Sequence, residues 1–426
     1  MKETNIGSDL NATVRIPGSK SITHRAVIAA SLADGRSVLK DFLKCEDTLY
    51  TINALRDIGV QITIKGNNLV VEGRGGKFGP EWINQEFYLG NSGTSFRLFL
   101  SVAAHCRGEL LITGTERMQA RPVGPLIAAL NQLGVDASCV EKDGCPPVLI
   151  RANGMRGGKI LMEGNQSSQF VSSLLLSGPD ADADIEIEVR GKQVSKPYVD
   201  MTINVMKEFG IRVTRNHYDR FKVPSGQRYR ASEFSVQGDA SSASYFWAAA
   251  AVTGGTMTTM NIHPDTTRQG DIRFLNILER MGCHVEKGPD RVTVHGGGLS
   301  GIEVDMSDLP DMVPTLAAVA LFAEGKTIIR NVAHLRHKES DRLKALALEW
   351  DRIRGRVEEL PDGLVIYGGA PLSGTIVYPH NDHRLAMSLA VVELRVPHIK
   401  IMDPDCVKKS FPTFWNVWNC LRRNQG

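Results

Sequence analysis

Lysine and arginine side chains recur at predicted helix starts and short turns along this chain of 426 residues. The seven that share this position are Lys20, Arg25, Arg121, Lys338, Arg342, Arg384 and Lys409. Two carboxylates, Asp311 and Glu339, lie in segments of the same kind. Cations beside helix N-termini, whose free N–H groups already attract anions, favour a multiply anionic ligand. Carboxylates among them weaken anion binding, so their presence favours an acid–base enzyme.

Each of these residues also has a structural interpretation. Ser340 or Asp341 could cap a helix that begins in the charged segment around Glu339, and Asp311 could cap another. Lys20 lies at a helix start, where a cation is unfavourable unless it serves a function, and no earlier glycine completes a nucleotide P-loop. His383, beside Arg384 at a helix start, is a candidate for ligand contact. A non-catalytic anion-binding protein that closes like a hinge is the main alternative of another class.

The elements that position these residues follow one repeated pattern. Glycine and small polar residues precede an apolar helix in six copies, which begin at Gly18, Gly90, Gly164, Gly238, Leu309 and Asn381, 71 to 74 residues apart. This period is longer than that of solenoid repeats, so six copies favour a closed, pseudo-symmetric architecture. The seven cations share one phase of the repeat, and together they would repel one another strongly in an empty site.

Each copy continues with a strand, a second helix that ends at a glycine, and two short strands. The sixth copy is cut off after a predicted helix at 414–422, whereas a strand at 12–16 precedes the first. We therefore expect an α/β protein with two lobes of three βαβαββ units, at 19–237 and at 1–18 plus 238–426. The N-terminal strand is predicted to join the second lobe, with glycine-based hinges near Gly18 and Gly238.

Composition excludes several classes of protein. Hydrophobic content of 42%, charged content of 23% and a net charge of +3 favour a soluble globular protein and give no reason to expect nucleic acid or a membrane as partner. Seven scattered cysteines indicate neither a zinc site nor a disulfide framework. The first residues show no signal-peptide pattern and no apolar stretch is long enough to span a bilayer. We expect a cytoplasmic monomer.

Eight segments, matched in order over essentially the whole chain, resemble the 5-enolpyruvylshikimate-3-phosphate synthase family. They are PGSKS, LGNSGTSFR, SSQF, SKPY, GDASSASYF, KESDR, NDHR and KKSFP. The resemblance implies two lobes, each an inside-out α/β barrel of three units, with the active site in the interlobe cleft. It further implies transfer of the enolpyruvyl group of phosphoenolpyruvate to the 5-hydroxyl of shikimate 3-phosphate. No metal and no organic cofactor is expected.

The resemblance also implies roles for individual residues. Phosphoenolpyruvate would be bound by Lys20, Asn91, Gly93, Arg121, Arg342, Arg384 and Lys409. Shikimate 3-phosphate, mainly on the first lobe, would be bound by Lys20, Ser21, Arg25, Ser167, Ser168, Gln169, Ser195, Tyr198, Asp311 and Lys338. The candidate catalytic residues are Lys20, Asp311, Glu339 and His383. Asp311 or Glu339 would take the hydroxyl proton. Lys20 and Glu339 would deliver a proton to the methylene carbon and later remove it.

One alternative and two departures qualify this resemblance. The related transferase that acts on UDP-N-acetylglucosamine carries a reactive cysteine before the arginine–proline turn, but here residues 114–122 have none, and Cys106 is predicted within an apolar helix. His334 stands where many members carry asparagine, and Leu98 where some carry proline. Gly93 keeps the small residue that leaves room for the inhibitor glyphosate, so we expect a glyphosate target.

Overall fold

The structure is a computed structural model that describes residues 10–79 and 82–423. Its helices are α1 (Lys20–Leu32), α2 (Glu46–Asp57), α3 (Gly93–Ala103), α4 (Glu116–Gln119), α5 (Gly124–Gln132), α6 (Ser168–Ser177), α7 (Lys196–Glu208), α8 (Ala240–Thr253), α9 (Phe274–Met281), α10 (Val313–Ala320), α11 (Arg342–Arg352), α12 (His383–Glu393) and α13 (Phe414–Arg423). Across the described ranges, no helix is both long and apolar enough to cross a membrane.

The strands alternate with these helices. They are β1 (Asn11–Arg15), β2 (Asp34–Lys40), β3 (Gln61–Lys65), β4 (Asn68–Arg74), β5 (Ile83–Tyr88), β6 (Arg107–Thr113), β7 (Asp136–Cys139), β8 (Val148–Asn153), β9 (Gly158–Glu163), β10 (Ile185–Arg190), β11 (Thr214–Asn216), β12 (Arg220–Val223), β13 (Glu233–Ser235), β14 (Thr256–Met260), β15 (His284–Lys287), β16 (Arg291–His295), β17 (Glu303–Asp305), β18 (Lys326–Arg330), β19 (Arg356–Leu360), β20 (Gly363–Tyr367), β21 (Ile376–Val377) and β22 (Lys400–Ile401). The βαβαββ order predicted from the repeat is therefore confirmed.

The chain separates into two compact units. One is Gly18–Val236, and the other combines the described residues up to Pro17 with those from Gln237 onward. Residues 1–9, which the expected second lobe includes, lie outside the described residues.

Six helices that open the repeats form the centres of the two units. In Gly18–Val236, α1, α3 and α6 contact one another, and in the other unit α8, α10 and α12 do the same. These helices are buried on almost every side, and the buried residues include polar ones such as His24 and Arg25 of α1. Equivalent positions one repeat apart meet between helices, as Ser101 and Ser173 do with their hydroxyl oxygens 2.6 Å apart. Such contacts are the local signature of pseudo-threefold packing.

The sheets follow one topology with one exchange. Each four-stranded sheet pairs a leading strand in parallel with the strand after the first helix, and the two closing strands are antiparallel. β1 does not lead the sheet of α1 but pairs with β14 in the second unit. β13 pairs with β2 and closes the first unit, which the repeat pattern did not reveal. The sixth sheet has only β21 and β22.

Gly18 and Gly238 are required for a reason other than the expected bending. Neither is among the described glycines with positive φ. A Cβ atom at either position would lie 2.0 Å from a carbonyl oxygen, of Asp41 at Gly18 and of Asn261 at Gly238. Glycine therefore permits the close approach of two backbone segments at the entry of α1 and of α8.

Candidate active site

In the Gly18–Val236 unit, Lys20 is the first residue of α1 and is buried. Its Nζ lies 2.8 Å from Oδ2 of Asp47, in the first turn of α2, and the Asp47 side chain is only 2% exposed. Burial of two charges is costly, and their pairing offsets part of that cost. The sequence analysis identified Lys20 but missed its counter-charge, because Asp47 had the appearance of an ordinary first-turn acid.

Arg25 lies one turn further along α1 and is fully buried among polar groups. Its guanidinium donates to the Thr202 hydroxyl at 2.6 Å, to the Ser21 carbonyl at 2.8 Å and to the Tyr198 carbonyl at 3.4 Å. Burial lowers the pKa of Arg25 to about 10, so it stays charged at neutral pH. The structure thus brings together Ser21, Arg25 and Tyr198, three of the residues predicted to bind one substrate.

A second group from that prediction lies at the start of α6. Ser167 is the N-cap residue and accepts a hydrogen bond from the backbone N–H of Gln169, while Ser168 is buried. The Gln169 amide accepts from Arg97 at 2.9 Å and donates to the Thr94 hydroxyl at 3.0 Å. Arg97 and Thr94 lie on α3, so the first turns of α3 and α6 are held together.

Ser195 adopts a backbone conformation that non-glycine residues rarely take. Its φ and ψ are 54° and 41°, it is buried, and it precedes α7 without capping it through its side chain. Such a left-handed conformation is unfavourable and is often found where function fixes a residue. This geometry favours the predicted ligand contact of Ser195 over a role in capping.

Arg121, Asn91 and Gly93 form one compact group. The Arg121 guanidinium donates to the Asn91 backbone carbonyl at 3.0 Å and to its side-chain oxygen at 3.2 Å. A Cβ on Gly93 would lie 2.5 Å from Nη2 of Arg121. The absence of a side chain at Gly93 therefore admits the guanidinium to the start of α3, where helix N–H groups also attract anions.

In the other unit, Arg342 is the centre of a buried charge network. Its guanidinium donates to Asp311 at 3.0 Å, to Glu339 at 2.8 Å and to Asp382 at 2.8 Å. Burial lowers the pKa of Arg342, but the three carboxylates outweigh burial and hold that pKa above its usual range. The predicted residues Asp311, Glu339 and Arg342, far apart in sequence, are thus in direct contact.

Asp311 bridges two arginines. Its second oxygen accepts from Arg384 at 2.7 Å, beside the bond from Arg342. Burial raises the pKa of the Asp311 carboxyl, but the charges of Arg384, Lys338 and Arg342 hold it below its usual range. Asp311 is therefore ionised and does not cap the following helix α10, which has no side-chain cap among the described residues.

Asp382, His383 and Arg384 open α12. Asp382 is the N-cap residue, accepts the backbone N–H of Arg384 and receives a hydrogen bond from the Ser340 hydroxyl at 3.2 Å. His383 is only 1% exposed. Asp341 caps α11, as one of the structural interpretations predicted, which leaves Glu339 outside the helix and paired with Arg342.

Lys338, Lys409 and His334 come from two turns in the same unit. Lys338 follows a 3-10 turn, Ala333–His337, and Lys409 ends another, Pro404–Lys409, which packs against α12. Burial, together with the Lys338 charge, lowers the pKa of His334 to about 3, so this imidazole is neutral at physiological pH.

Sequence analysis also missed a buried polar group under the start of α8. Gln269 donates to Asp239 at 2.8 Å and to Asp271 at 3.1 Å, and the Ser241 hydroxyl also binds Asp271. Burial, and to a lesser extent the negative charge of Asp311, raises the pKa of Asp271 to about 6. The GDASS segment contained part of this signal, but its partners lie thirty residues further on.

Two expectations need correction. The cations are not bare, because Asp47 pairs with Lys20 in one unit and Asp311, Glu339 and Asp382 pair with Arg342 and Arg384 in the other, so their mutual repulsion is smaller than expected. Cys106 lies in the turn between α3 and β6 rather than within a helix. It is fully buried, and burial raises its pKa to about 12, which disfavours a reactive thiolate.

Within the described ranges, no cluster of three or more histidine, cysteine, aspartate or glutamate side chains is arranged to hold a metal ion.

Comparison with known proteins identifies one family. The family model described as EPSP synthase (3-phosphoshikimate 1-carboxyvinyltransferase) matches residues 4–418. A 3-phosphoshikimate 1-carboxyvinyltransferase of Syntrophobacter fumaroxidans is 45% identical over 97% of this chain and 98% of its own length. One of Methanoculleus marisnigri is also 45% identical, over 96% of both chains.

Solved structures give the same result for the fold. An EPSP synthase structure from Acinetobacter baumannii has 28% sequence identity and a TM-score of 0.78, and it covers 97% of this chain and 95% of its own. The two-lobed fold of the enolpyruvyl transferases is thereby confirmed, and the alternative transferase for a sugar nucleotide is not favoured. The chain belongs to the EPSP synthase family.

Proposed function

We propose that this protein transfers the enolpyruvyl group of phosphoenolpyruvate to the 5-hydroxyl of shikimate 3-phosphate, releasing inorganic phosphate. The observation that carries the proposal is the network in which Arg342 and Arg384 share the carboxylate of Asp311. Two arginines beside an ionised carboxylate provide anion binding and a proton acceptor at one place. The two relatives described above are named for this activity, and the match to this chain covers nearly their whole length.

We assign phosphoenolpyruvate to Arg121, Arg342, Arg384 and Lys409, with Lys20, Asn91 and Gly93. Guanidinium groups bind carboxylate and phosphate oxygens through paired hydrogen bonds. An anion that takes over Arg342 and Arg384 removes both hydrogen-bond donors to Asp311, which together with the Lys338 charge hold the pKa of that carboxyl low. Substrate binding would then raise that pKa and make Asp311 a stronger base.

We assign shikimate 3-phosphate to Ser21, Arg25, Ser167, Ser168, Gln169, Ser195 and Tyr198, with Lys20, Asp311 and Lys338. Hydroxyl, amide and cationic donors suit both a phosphate ester and the hydroxyls of a polyol. Two observations indicate that these donors are held in fixed positions. Ser195 has a left-handed backbone, and the Gln169 side chain is hydrogen-bonded to both Arg97 and Thr94.

The chemistry is addition followed by elimination. The 5-hydroxyl oxygen forms a bond to C2 of phosphoenolpyruvate, gives up its proton to Asp311 or Glu339, and C3 receives a proton from Lys20 or Glu339. The tetrahedral ketal phosphate then loses a C3 proton as the C–O bond to phosphate breaks. Fixed cations stabilise the charge that shifts during both steps. We keep His383, the first residue of α12 and only 1% exposed, as a candidate catalytic residue beside Arg384.

Phosphate release from phosphoenolpyruvate tests the proposal, with shikimate 3-phosphate or UDP-N-acetylglucosamine as acceptor and no added metal. We expect release only with the shikimate ester, and release only with the sugar nucleotide would overturn the assignment. Glu339→Gln should lower kcat by about 10²-fold or more without loss of substrate binding. Glu324→Gln, at an exposed position, is the matched control. Unchanged turnover in Glu339→Gln would remove Glu339 from the mechanism.

We further propose that the protein acts in the cytoplasm as a monomer, in the pathway to aromatic amino acids by way of chorismate. Sedimentation equilibrium at the concentrations used for the assay measures the mass directly, and a mass twice that of the 46.7 kDa chain would contradict the monomer.

A further inference from the structure

Helix α11 carries a second buried charge on the face that bears Arg342. Glu349 is 1% exposed and lies seven residues after Arg342, which is two helical turns and therefore the same face. Its carboxylate accepts from the Tyr378 backbone N–H at 2.9 Å and the His380 Nε2–H at 2.7 Å, and it forms an ion pair with Arg352, whose Nε lies 3.3 Å away. A buried carboxylate requires such partners, and two of the three belong to the segment that leads into α12.

That segment holds a strained turn. His380 and Asn381 have φ of 52° and 54°, and consecutive left-handed residues other than glycine are unfavourable. Packing on its open side is sparse, because Tyr378, Pro379, His380 and Asn381 line a cavity of about 560 Å³, where the Arg352 guanidinium lies 5.1 Å from the centre of the Tyr378 ring. The hydrogen bonds to Glu349 hold it from the other side.

The turn ends directly at the candidate active site. Asp382 follows Asn381, donates its N–H to the Pro379 carbonyl at 2.9 Å and caps α12. Arg384, two residues later, pairs with Asp311. Helix α11 therefore contacts this stretch at two points: Arg342 donates a hydrogen bond to Asp382, and Glu349 accepts one from His380.

We propose that Glu349 is a positioning residue for phosphoenolpyruvate: through Tyr378 and His380 it fixes the strained turn that sets Asp382 and Arg384. The expected change in the KM for phosphoenolpyruvate rests on the proposed function. The expected effect of Glu349 on the turn does not. Glu349 does not touch the reacting atoms in this scheme. It determines where the anion-binding guanidinium of Arg384 is held.

Glu349→Gln is the sharpest variant, because it keeps the shape and removes one acceptor. The amide also lacks the charge that pairs with Arg352, and an amide oriented to keep the bond from Tyr378 places its NH2 group against His380 Nε2. We expect the KM for phosphoenolpyruvate to rise about tenfold, with the KM for shikimate 3-phosphate changed less than about twofold. Asp351→Asn, an exposed carboxylate on the same helix, is the control and should leave both unchanged.

A second pair of variants separates positioning from stability alone. His380→Ala should raise the KM for phosphoenolpyruvate, whereas His380→Gln, whose Nε2–H reaches as far as the lost imidazole N–H, should restore most of the affinity. A melting temperature lowered in Glu349→Gln with both KM values unchanged would overturn the proposal. So would equal effects of His380→Ala and His380→Gln.

Hydrogen exchange tests the turn without any substrate. In Glu349→Gln, the backbone amides of Tyr378 and of residues 380–384 should exchange about tenfold faster than in wild type, and those of Asp351→Asn should not. Unchanged protection of this segment would overturn the proposal. If the wild type released no phosphate from phosphoenolpyruvate, the proposed function would fail, and the exchange result would still decide whether Glu349 holds the turn.

Discussion

The residues of the candidate site are defined as much by their partners as by their own types. Lys20, Arg342 and Arg384 were recognisable from sequence as cations at helix starts. Asp47 and Asp382, which accept hydrogen bonds from Lys20 and Arg342 and balance their charge, were not, because an acid in a first turn or at an N-cap has an ordinary structural role. The paired carboxylates explain how the cations are buried before any substrate arrives.

At this scale His334 yields a prediction about pH. Its pKa in the folded protein, about 3, lies below the unfolded value of 6.5. The unfolded chain therefore binds more protons, and the stability due to neutral His334 is lost as pH falls below about 6.5. Between pH 7 and pH 5 the wild type should lose about 2 kcal/mol of unfolding free energy through this imidazole. His334→Asn should not show this loss. Urea titrations at a series of pH values measure this difference.

His337→Asn is the control for that series, since His337 lies in the same turn with its side chain exposed. A stability difference for His334→Asn that does not change with pH would show that the imidazole is protonated or solvated in the folded protein.

Among the elements, the helices that open the repeats differ in how they use their N-termini. Ser19, Ser92, Ser167, Asp239 and Asp382 cap α1, α3, α6, α8 and α12 through their side chains. At α10 the carboxylate available at the start, that of Asp311, binds two arginines instead. A repeated element thus departs from its pattern at a candidate catalytic residue.

Helix α3 gives a prediction of its own. In Gly93→Ala the new methyl group must displace the Arg121 guanidinium, whose atoms lie 2.5 to 3.0 Å from the Cβ position. The far end of a long side chain can move, so the fold should persist. We expect the KM for phosphoenolpyruvate to rise about tenfold, and the wild type to be more sensitive to glyphosate than the variant.

Steady-state kinetics with each substrate varied in turn check this prediction. Gly298→Ala is the control, because a Cβ there meets no atom within 4 Å. A Gly93→Ala variant with wild-type KM and wild-type glyphosate sensitivity would place the anion away from Arg121.

On the scale of the whole molecule, the exchange of β1 and β13 makes each unit depend on a distant part of the chain. β1 contributes buried Val14 and is followed by buried Ile16, so the first described residues complete the unit that begins again at Gln237. The repeat phase predicted where β1 goes. It did not predict that β13 returns to β2, because a strand of three residues carries almost no pattern.

Ile16→Ala tests that dependence. The residue is 1% exposed, so we expect a loss of about 2–4 kcal/mol in the unfolding of the unit that contains Gln237–Gly426. Tryptophan fluorescence follows mainly this unit, since Trp247, Trp350, Trp415 and Trp418 lie in it, whereas Trp82 of the other unit is already 67% exposed in the folded protein. Arg15→Ala, at an exposed position on β1, should cost far less. Equal destabilisation by both would contradict a core role for Ile16.

The sequence by itself determined the period, the order of helices and strands, the fold class and most of the cations and hydroxyls of the candidate site. These features are local: a glycine, a capping residue and an apolar run act on neighbours within a few positions. Tertiary structure alone decided which charges meet. Lys20 finds Asp47 27 residues away, Arg342 finds Asp382 40 residues away, and His380 finds Glu349 31 residues away. Such pairs depend on how helices pack, and packing is not encoded in the spacing of residues along one element.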